Sequence, residues 1–339
     1  MIAVDVAAAL LWVTLTAYAI TGGADFGGGV WDLLAGGAKR GEPVRRLIDE
    51  SITPVWEANH VWLIITLVLF WTEFPPAFAA VTSTLFVPLS LVALGVVFRG
   101  AGFAYRKPLR RLFLQQLTGA TFALSSLVTP FFMGAAAGAI VTGRVPADGQ
   151  GNRVTSWTTP TCLLIGALSV VAFAFLAAVY LAADARRRGD GPLVRYFALR
   201  GLVTGALTGG LGAAALTELH AHASLTFHHF AGGGPLALLV VSGVLGLSAL
   251  TLLAVRAGRG VRVIGAAAFA TMLWAWAVAQ YPRMLPGAFS LHAAAAPTAS
   301  LVTEMVVFGA IVVLAGPSLI LLYSLAQRGL LGESGEAQR

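Results

Sequence analysis

The chain has 339 residues, of which 58% are hydrophobic and only 11% charged, with a formal net charge of +7. Soluble domains average about 45–50% apolar and about 25% charged residues, so this chain has too few charges to cover a water-facing surface and reads as an integral membrane protein. Disorder, a disulfide-stapled secreted domain and a nucleic-acid binder are disfavoured: the basic residues stand in short clusters between apolar runs, and Cys162 is the single cysteine.

A helix needs about 20 mainly apolar residues to cross the hydrocarbon core. Nine such runs are predicted, at about 5–22, 52–72, 75–98, 113–142, 160–184, 199–218, 235–255, 262–281 and 301–326. Open strands cannot satisfy their backbone groups in lipid, so each run is expected to be a helix. The fold class is thus all-α and polytopic, in a single membrane domain covering 1–339. The chain opens MIAVDV, without a basic segment, so the first run is read as a span and not as a cleavable signal.

At the inner end of the first run, GGADFGGG at 22–29 carries Asp25 among glycines that allow close approach of backbone or ligand. Asp25 is either a functional carboxylate or a helix-end charge in the headgroup region. The second run starts TPVWEANHVWL at 53–63. Glu57 and His60 stand three apart and share a helix face. A carboxylate beside an imidazole can pass protons; the alternative is a buried pair that orders packing. Asn59, Trp56 and Trp62 add polar edges. Glu73 ends this run, and it is expected near the outer interface, as is Glu304 at the start of the ninth. Arg99 and Arg106 frame FRGAGFAYR at 98–106, and are read as headgroup and topology contacts or as ion-pair partners of Asp25 or of another subunit.

Further along, Gly134 and Gly138, and Gly205 and Gly209, have the four-residue spacing of close helix contacts. The sixth run, rich in glycine at 201, 205, 209, 210 and 212, is expected to pack tightly. Pro88, Pro130 and Pro317 lie inside runs and should kink them. Glu218, His220, His222, His228 and His229 gather near an outer helix end, where polar surface competes with a metal or haem role, and nothing completes a tetrahedral site. YPRMLP at 281–286 forms an outer turn, read as a lip facing quinone or a partner, and Cys162 is assigned to packing. Charge placement orients the chain. With the N-terminus outside and the C-terminus inside, 19 of the 22 Lys and Arg fall on the inner side, leaving Arg144, Arg153 and Arg283 outside, as the positive-inside rule requires.

Four stretches together resemble subunit II of cytochrome bd-type quinol oxidases. TGGADFGGG at 21–29 is similar to the family's glycine-flanked acidic motif, and SITPVWEANHVWL at 51–63 to its Pro-x-Trp-acidic-x-Asn-x-Val-Trp motif. FRGAGFAYR at 98–106 is similar to its Phe-Arg-x-x-Gly-Phe-x-Tyr-Arg motif, and YPRMLP with the later LILLY at 319–323 to its C-terminal part. The resemblance implies two four-helix bundles plus a peripheral helix, in a bacterial cytoplasmic membrane. It implies a partner, subunit I, that ligates two haems b and one haem d, while this chain binds no cofactor or metal of its own. A small single-span subunit, lipid and quinone complete the expected surroundings. The implied activity is quinol oxidation coupled to reduction of O2 to water. Asp25 and Glu57 match the acidic positions of the family's proton route, with His60 beside them. The chain departs from the pattern at His60, where Gln or Glu is usual, and at Ala104, where many members carry Asp. It also departs at AAAAPTAS, 293–300, which lacks a Trp-Asp pair. A proton-coupled secondary transporter is the alternative; such folds usually show two similar halves, and no internal repeat is visible here.

Overall fold

The computed structural model describes residues 2–52, 56–106, 112–256 and 260–327. The chain is helical almost throughout. Its elements are α1 (Ile2–Leu33), α2 (Ala38–Ile52), α3 (Trp56–Glu73), α4 (Pro75–Thr84), α5 (Phe86–Arg106), α6 (Leu112–Val141), α7 (Pro160–Arg187), α8 (Gly191–His222), α9 (Ser224–Phe230), α10 (Gly233–Ala254) and α11 (Val261–Gln280). A hairpin of β1 (Arg283–Leu285) and β2 (Phe289–Ser290), then α12 (Leu291–Ala294) and α13 (Thr298–Gln327), complete the chain. The antiparallel hairpin, paired Arg283 with Ser290, is the one strand pairing among the described residues.

Several starts are written in the sequence. Thr159 accepts a hydrogen bond from the amide of Cys162 ahead of Pro160, and Asp190 accepts one from the amide of Leu193. Both are N-caps followed by proline in the first turn, where its missing N–H costs nothing.

Seven helices are long and apolar enough to cross a membrane: α1, α7, α8, α10, α11, the Gly119–Val141 part of α6 and the Thr298–Leu322 part of α13. Asn59–Glu73 and Pro75–Thr84 pass the same test as a pair bent by 116°, and Phe86–Gly102 is a shorter apolar helix. The run expected at 75–98 is therefore divided: the helix breaks at Leu85, and α4, with 10 residues, is about 15 Å long, too short to cross alone. Pro88 consequently lies in the first turn of α5 and kinks nothing, whereas Pro130 and Pro317 do lie inside helices. The first run is longer than expected. α1 continues unbroken through the glycines to Leu33, which places Asp25 inside the helix and not at its end.

The long helices bring loops to two ends. At one end the Tyr281 hydroxyl reaches Asp5, the amide of Ala296 donates to the Glu73 carbonyl at 2.8 Å, and the Thr226 hydroxyl donates to the Val141 carbonyl. At the other, Arg45 pairs with Asp32 at 3.1 Å, Arg188 with Glu50, and Arg262 with Asp184 at 2.5 Å. This second end carries the arginine-rich clusters and is called the basic end below. Each end has its own apolar core. Val30, Trp31, Ile48, Phe197 and Leu253 belong to the basic-end core, and Phe74, Val81, Leu85, Val145 and Leu301 to the opposite one. α13 contributes no buried stretch across its apolar window, so its faces are open to lipid or to another chain.

Glycines set the closest crossings. A methyl on Gly138 would sit 2.8 Å from Cys162 Cα, and one on Gly134 2.6 Å from the Ile165 carbonyl oxygen, so α6 and α7 meet backbone to backbone. One on Gly27 would sit 2.5 Å from the Phe173 carbonyl carbon. In α8, Gly201 and Gly205 face Leu253 and Leu250 closely, but nothing lies within 4 Å of the Cβ positions of Gly209, Gly210 and Gly212. The close glycine contacts of that helix are thus confined to Gly201 and Gly205. Gly27→Leu is thus expected to abolish recovery of monodisperse protein in size-exclusion chromatography, and Gly209→Leu to leave it unchanged; equal recovery of the two variants would contradict the packing described here.

Candidate functional site

Ionisable side chains are scarce in the apolar helices, and the structure gathers several of them on the basic-end side. Asp25 on α1 and Arg99 on α5 are each only 3% exposed, and Asn59 on α3 is equally buried. Asn59 Nδ2 donates to Asp25 Oδ2 at 2.5 Å. Arg99 Nη2 donates to the main-chain oxygen of Asp25 at 2.5 Å, while Nη1 donates to the Ser126 hydroxyl on α6. The guanidinium lies between two rings, 4.8 Å from the Phe26 centroid and 4.4 Å from that of Phe122. Cation–π contact of this kind supports a charge that water cannot reach. Arg99 is thus held by four helix positions while its charge stays beside the Asp25 carboxylate.

The helix geometry explains the arrangement. Gly29, one turn after Asp25, leaves the gap through which Ser126 and Arg99 approach α1. Ser126 also donates to the Phe122 carbonyl of its own helix at 2.7 Å, a local bond that lets a serine sit in an apolar span. Trp31 Nε1 donates to the Ala174 carbonyl at 2.9 Å and ties the end of α1 to α7.

His60 stands one residue along α3 from Asn59. Its Nδ1 lies 2.8 Å from the Trp56 carbonyl oxygen. A carbonyl only accepts, so Nδ1 carries the hydrogen and Nε2 presents a lone pair. The Trp56 ring meets the imidazole edge-on at 5.9 Å, and Tyr18 on α1 faces it at 6.4 Å. The Tyr18 hydroxyl is buried without a hydrogen-bond partner among the described residues. Trp62 packs beside Tyr18 and Phe26. Of the sequence-derived candidates, then, Asp25, Asn59 and Arg99 meet directly, and His60, Trp56 and Trp62 surround them. The side chains of Glu57 and Arg106, and of Ala104, lie outside the described residues.

The other polar candidates do not join this site. Glu73 is at the opposite end, the last residue of α3, and is 0% exposed, sealed by the α3–α4 break and the loop before α13. Neither of its carboxylate oxygens has a hydrogen-bond partner among the described residues. Glu304 accepts from the Thr72 hydroxyl at 2.7 Å. The histidine group is dispersed: His222 Nδ1 lies 3.2 Å from Glu218 Oε2, His229 contacts Arg283, and His220 packs edge-on against Phe227. No group of three or more His, Cys, Asp and Glu side chains could hold a metal ion among the described residues. In the turn after α11, Gln280 donates to the Met284 carbonyl at 2.7 Å, Leu285 is buried, and Tyr281 and Pro282 are exposed. Cys162 is buried beneath Gly138 in the α6–α7 crossing.

Tyr18 and Ser126 were not singled out from sequence. Tyr18 precedes Asp25 by seven residues, two helical turns on the same face, and Ser126 interrupts an apolar helix. Both signals are common in spans that do nothing but pack.

Chemically, the site offers a buried carboxylate with one amide donor, a fixed neighbouring cation, and an imidazole with a free lone pair. Such an arrangement can hold and pass a proton.

Comparison with known proteins follows the same lines. The family described as cytochrome bd terminal oxidase subunit II matches residues 4–326. Subunit 2 of the cytochrome bd-I ubiquinol oxidase of Escherichia coli K12 is 31% identical over 134 residues, which are 40% of this chain and 35% of that protein. Subunit 2 of the cytochrome bd ubiquinol oxidase of Bacillus subtilis 168 is 30% identical over 129 residues, 37% of each chain. The chain thus spans little more than a third of the length of the curated relatives it matches. A chain of the solved bd oxidase from Geobacillus thermodenitrificans has the same fold, with a TM-score of 0.74 and 22% identity over 96% of this chain and 98% of that one.

Arg99→Lys retains the charge but cannot bridge Ser126 and the Asp25 main chain or stack between two rings. It is expected to cost about 2 kcal/mol of stability, as for a buried hydrogen bond to a charged group, seen as a lowered melting temperature in detergent. Asn59→Ala should cost less. A Lys variant melting with the wild type would show that the guanidinium's bonds do not hold α1, α5 and α6 together.

Proposed function

The chain belongs to the cytochrome bd terminal oxidase subunit II family, and we propose that it serves as the second subunit of a membrane complex that oxidises quinol and reduces O2 to water, carrying part of the proton supply from the basic end. The observation that carries this reading is the buried Asp25–Asn59–Arg99 cluster, because an ionisable group inside a membrane span is expensive and is usually retained for transport or proton relay.

In this reading the chain forms one membrane domain of nine spans, α1, α3, α5, α6, α7, α8, α10, α11 and α13, grouped as two four-helix bundles and a peripheral helix. The basic end faces the cytoplasm, the N-terminus lies outside and the C-terminus inside, in a bacterial cytoplasmic membrane. The arginine clusters at that end support this orientation. Its partner is a subunit I that ligates the haems, with room beside them for a small single-span subunit. Haem b and haem d, when bound there, supply electron transfer and the O2 site.

This chain's residues would act in sequence. Glu57, in the first turn of α3, takes a proton from water at the basic end. His60, whose Nδ1–H is fixed on the Trp56 carbonyl, accepts at Nε2. Asp25 receives the proton at its carboxylate. The Arg99 guanidinium is engaged by the Asp25 main-chain oxygen and Ser126 and is not clamped on the carboxylate, which leaves the carboxylate capacity for a proton. Asn59 orients that carboxylate through Oδ2. His60 supplies here a titrating group where relatives of this type commonly carry an amide or acid, and it offsets the absence of a carboxylate at Ala104.

Asp25→Asn and Glu57→Gln are each expected to slow O2 consumption by the assembled complex about tenfold or more, with the reduced-minus-oxidised haem spectrum intact. Glu57→Asp should be milder, since the titrating group remains, and His60→Ala should approach Glu57→Gln. Unchanged turnover at saturating quinol in the Asn and Gln variants would remove the proton route. A chain that purifies without haem or a second polytopic subunit would remove the oxidase assignment itself.

A further inference from the structure

At the basic end, five arginines are already matched. Arg187 and Arg262 converge on Asp184, Arg188 pairs with Glu50, Arg45 pairs with Asp32, and Arg200 lies over the Tyr196 ring. Of the others there, Arg40, Arg46, Arg186, Arg195 and Arg256 are exposed, and two of them, Arg186 and Arg256, stand together. Both are exposed, and neither guanidinium has a carboxylate or hydrogen-bond partner among the described residues. Yet they come from separate helices, the last turn of α7 and the residue after the C-cap of α10, and line the same notch. Its floor is apolar: Ala182, Val194, Ala198 and Leu253.

Two further features mark the notch. Arg256 has a φ of 55°, a left-handed backbone that few residues other than glycine adopt. A long cationic side chain is therefore held at the rim at a conformational cost, where glycine would avoid it. The notch is also shallow, enclosing about 10 Å³, room for one water-sized group such as a single headgroup oxygen. A soluble metabolite would find no enclosure there. Below it, the outward faces of α8 and α10 continue as Leu199, Val203, Val244 and Leu247, all exposed, with little of either helix buried.

We propose that this notch binds the phosphate of an anionic phospholipid of the inner leaflet. The phosphate oxygens bridge Arg186 and Arg256, and the first acyl methylenes lie over Ala198 and Leu253 before running down α8 and α10. Charge complementarity selects the headgroup: two guanidiniums without a carboxylate partner among the described residues stand on an apolar floor, and guanidinium binds phosphate through paired N–H donors. The apolar continuation favours a lipid over free phosphate.

Native mass spectrometry of the delipidated native assembly tests this, with dioleoyl phosphatidylglycerol titrated against dioleoyl phosphatidylcholine, which has the same tails and no net charge. The wild type should retain one phosphatidylglycerol ahead of any phosphatidylcholine. Arg186→Gln combined with Arg256→Gln should bind that first lipid about tenfold or more weakly, in keeping with two lost cations near the surface, with phosphatidylcholine unaffected. Arg256→Gly removes one cation while relieving the left-handed backbone, so it should fold at least as well as the wild type and still lose several-fold; it decides the matter should the double variant fail to assemble. Wild-type retention of phosphatidylglycerol by either assembled variant overturns the site. Displacement of the lipid by millimolar inorganic phosphate overturns the lipid in favour of a soluble anion. The readout is lipid mass and not turnover, so it stands or falls separately from the proton route.

Discussion

Lipid offers no hydrogen bonds, and Arg99 is where that constraint bears hardest on this chain. A guanidinium has five N–H donors and does not deprotonate in proteins, so within a bilayer every partner has to come from other helices. Here they come from the main chain of α1, the serine of α6 and two aromatic faces. Satisfying this one side chain fixes the distances between α1, α5 and α6, and through Asn59 that of α3. The glycines of α1 follow from the same demand. They are the positions at which α6 and α7 come near enough for Ser126 and the Phe173 backbone to reach the helix.

The reach of sequence reasoning divides along physical lines. Asp25, Asn59 and Arg99 were legible because polar groups in apolar runs stand out by cost alone. The outlines of most long helices were legible for the related reason that hydrocarbon thickness sets a length. The continuation of α1 through GGADFGGG was not: glycine reads locally as a helix breaker, and only the packing against α7, absent from a one-dimensional pattern, outweighs that preference. The break at Leu85 was hidden because a one-residue interruption between two apolar helices leaves the hydropathy of the run unchanged. Glu73 looked interfacial by its position at the end of a run, but the α3–α4 corner and the chain at Ala296 close over it. Burial there is a property of loops from distant parts of the sequence. Tyr18 and Ser126 were invisible for plainer reasons: a serine hydroxyl can satisfy itself within its own helix, as Ser126 does on Phe122, and a tyrosine in an apolar run reads as packing.

The two ends of the molecule are built from different forces. At the basic end, carboxylates and arginines pair across loops, as Asp184 does with both Arg187 and Arg262. At the other end, main-chain hydrogen bonds and hydroxyl bonds to the carboxylates of Asp5 and Glu304 join the hairpin, the loop before α13 and the helix corner. The arginine-rich end is the more sensitive to salt and to charged lipid surfaces.

The length of α1 has a consequence of its own. Thirty-two residues make a helix about 48 Å long, against a hydrocarbon layer of about 30 Å. The surplus is taken up by tilt or by overhang into the headgroups. Asp25 lies about 35 Å along the axis from the helix start, so an upright helix beginning flush with one boundary would put its carboxylate just past the other. Two turns of overhang at the start would draw it about 6 Å inside. The depth of the carboxylate is thus set by how the whole helix rides in the bilayer. Membrane thickness, a property of the surrounding lipids and not of the chain, becomes a dial on how far the buried carboxylate stands from water.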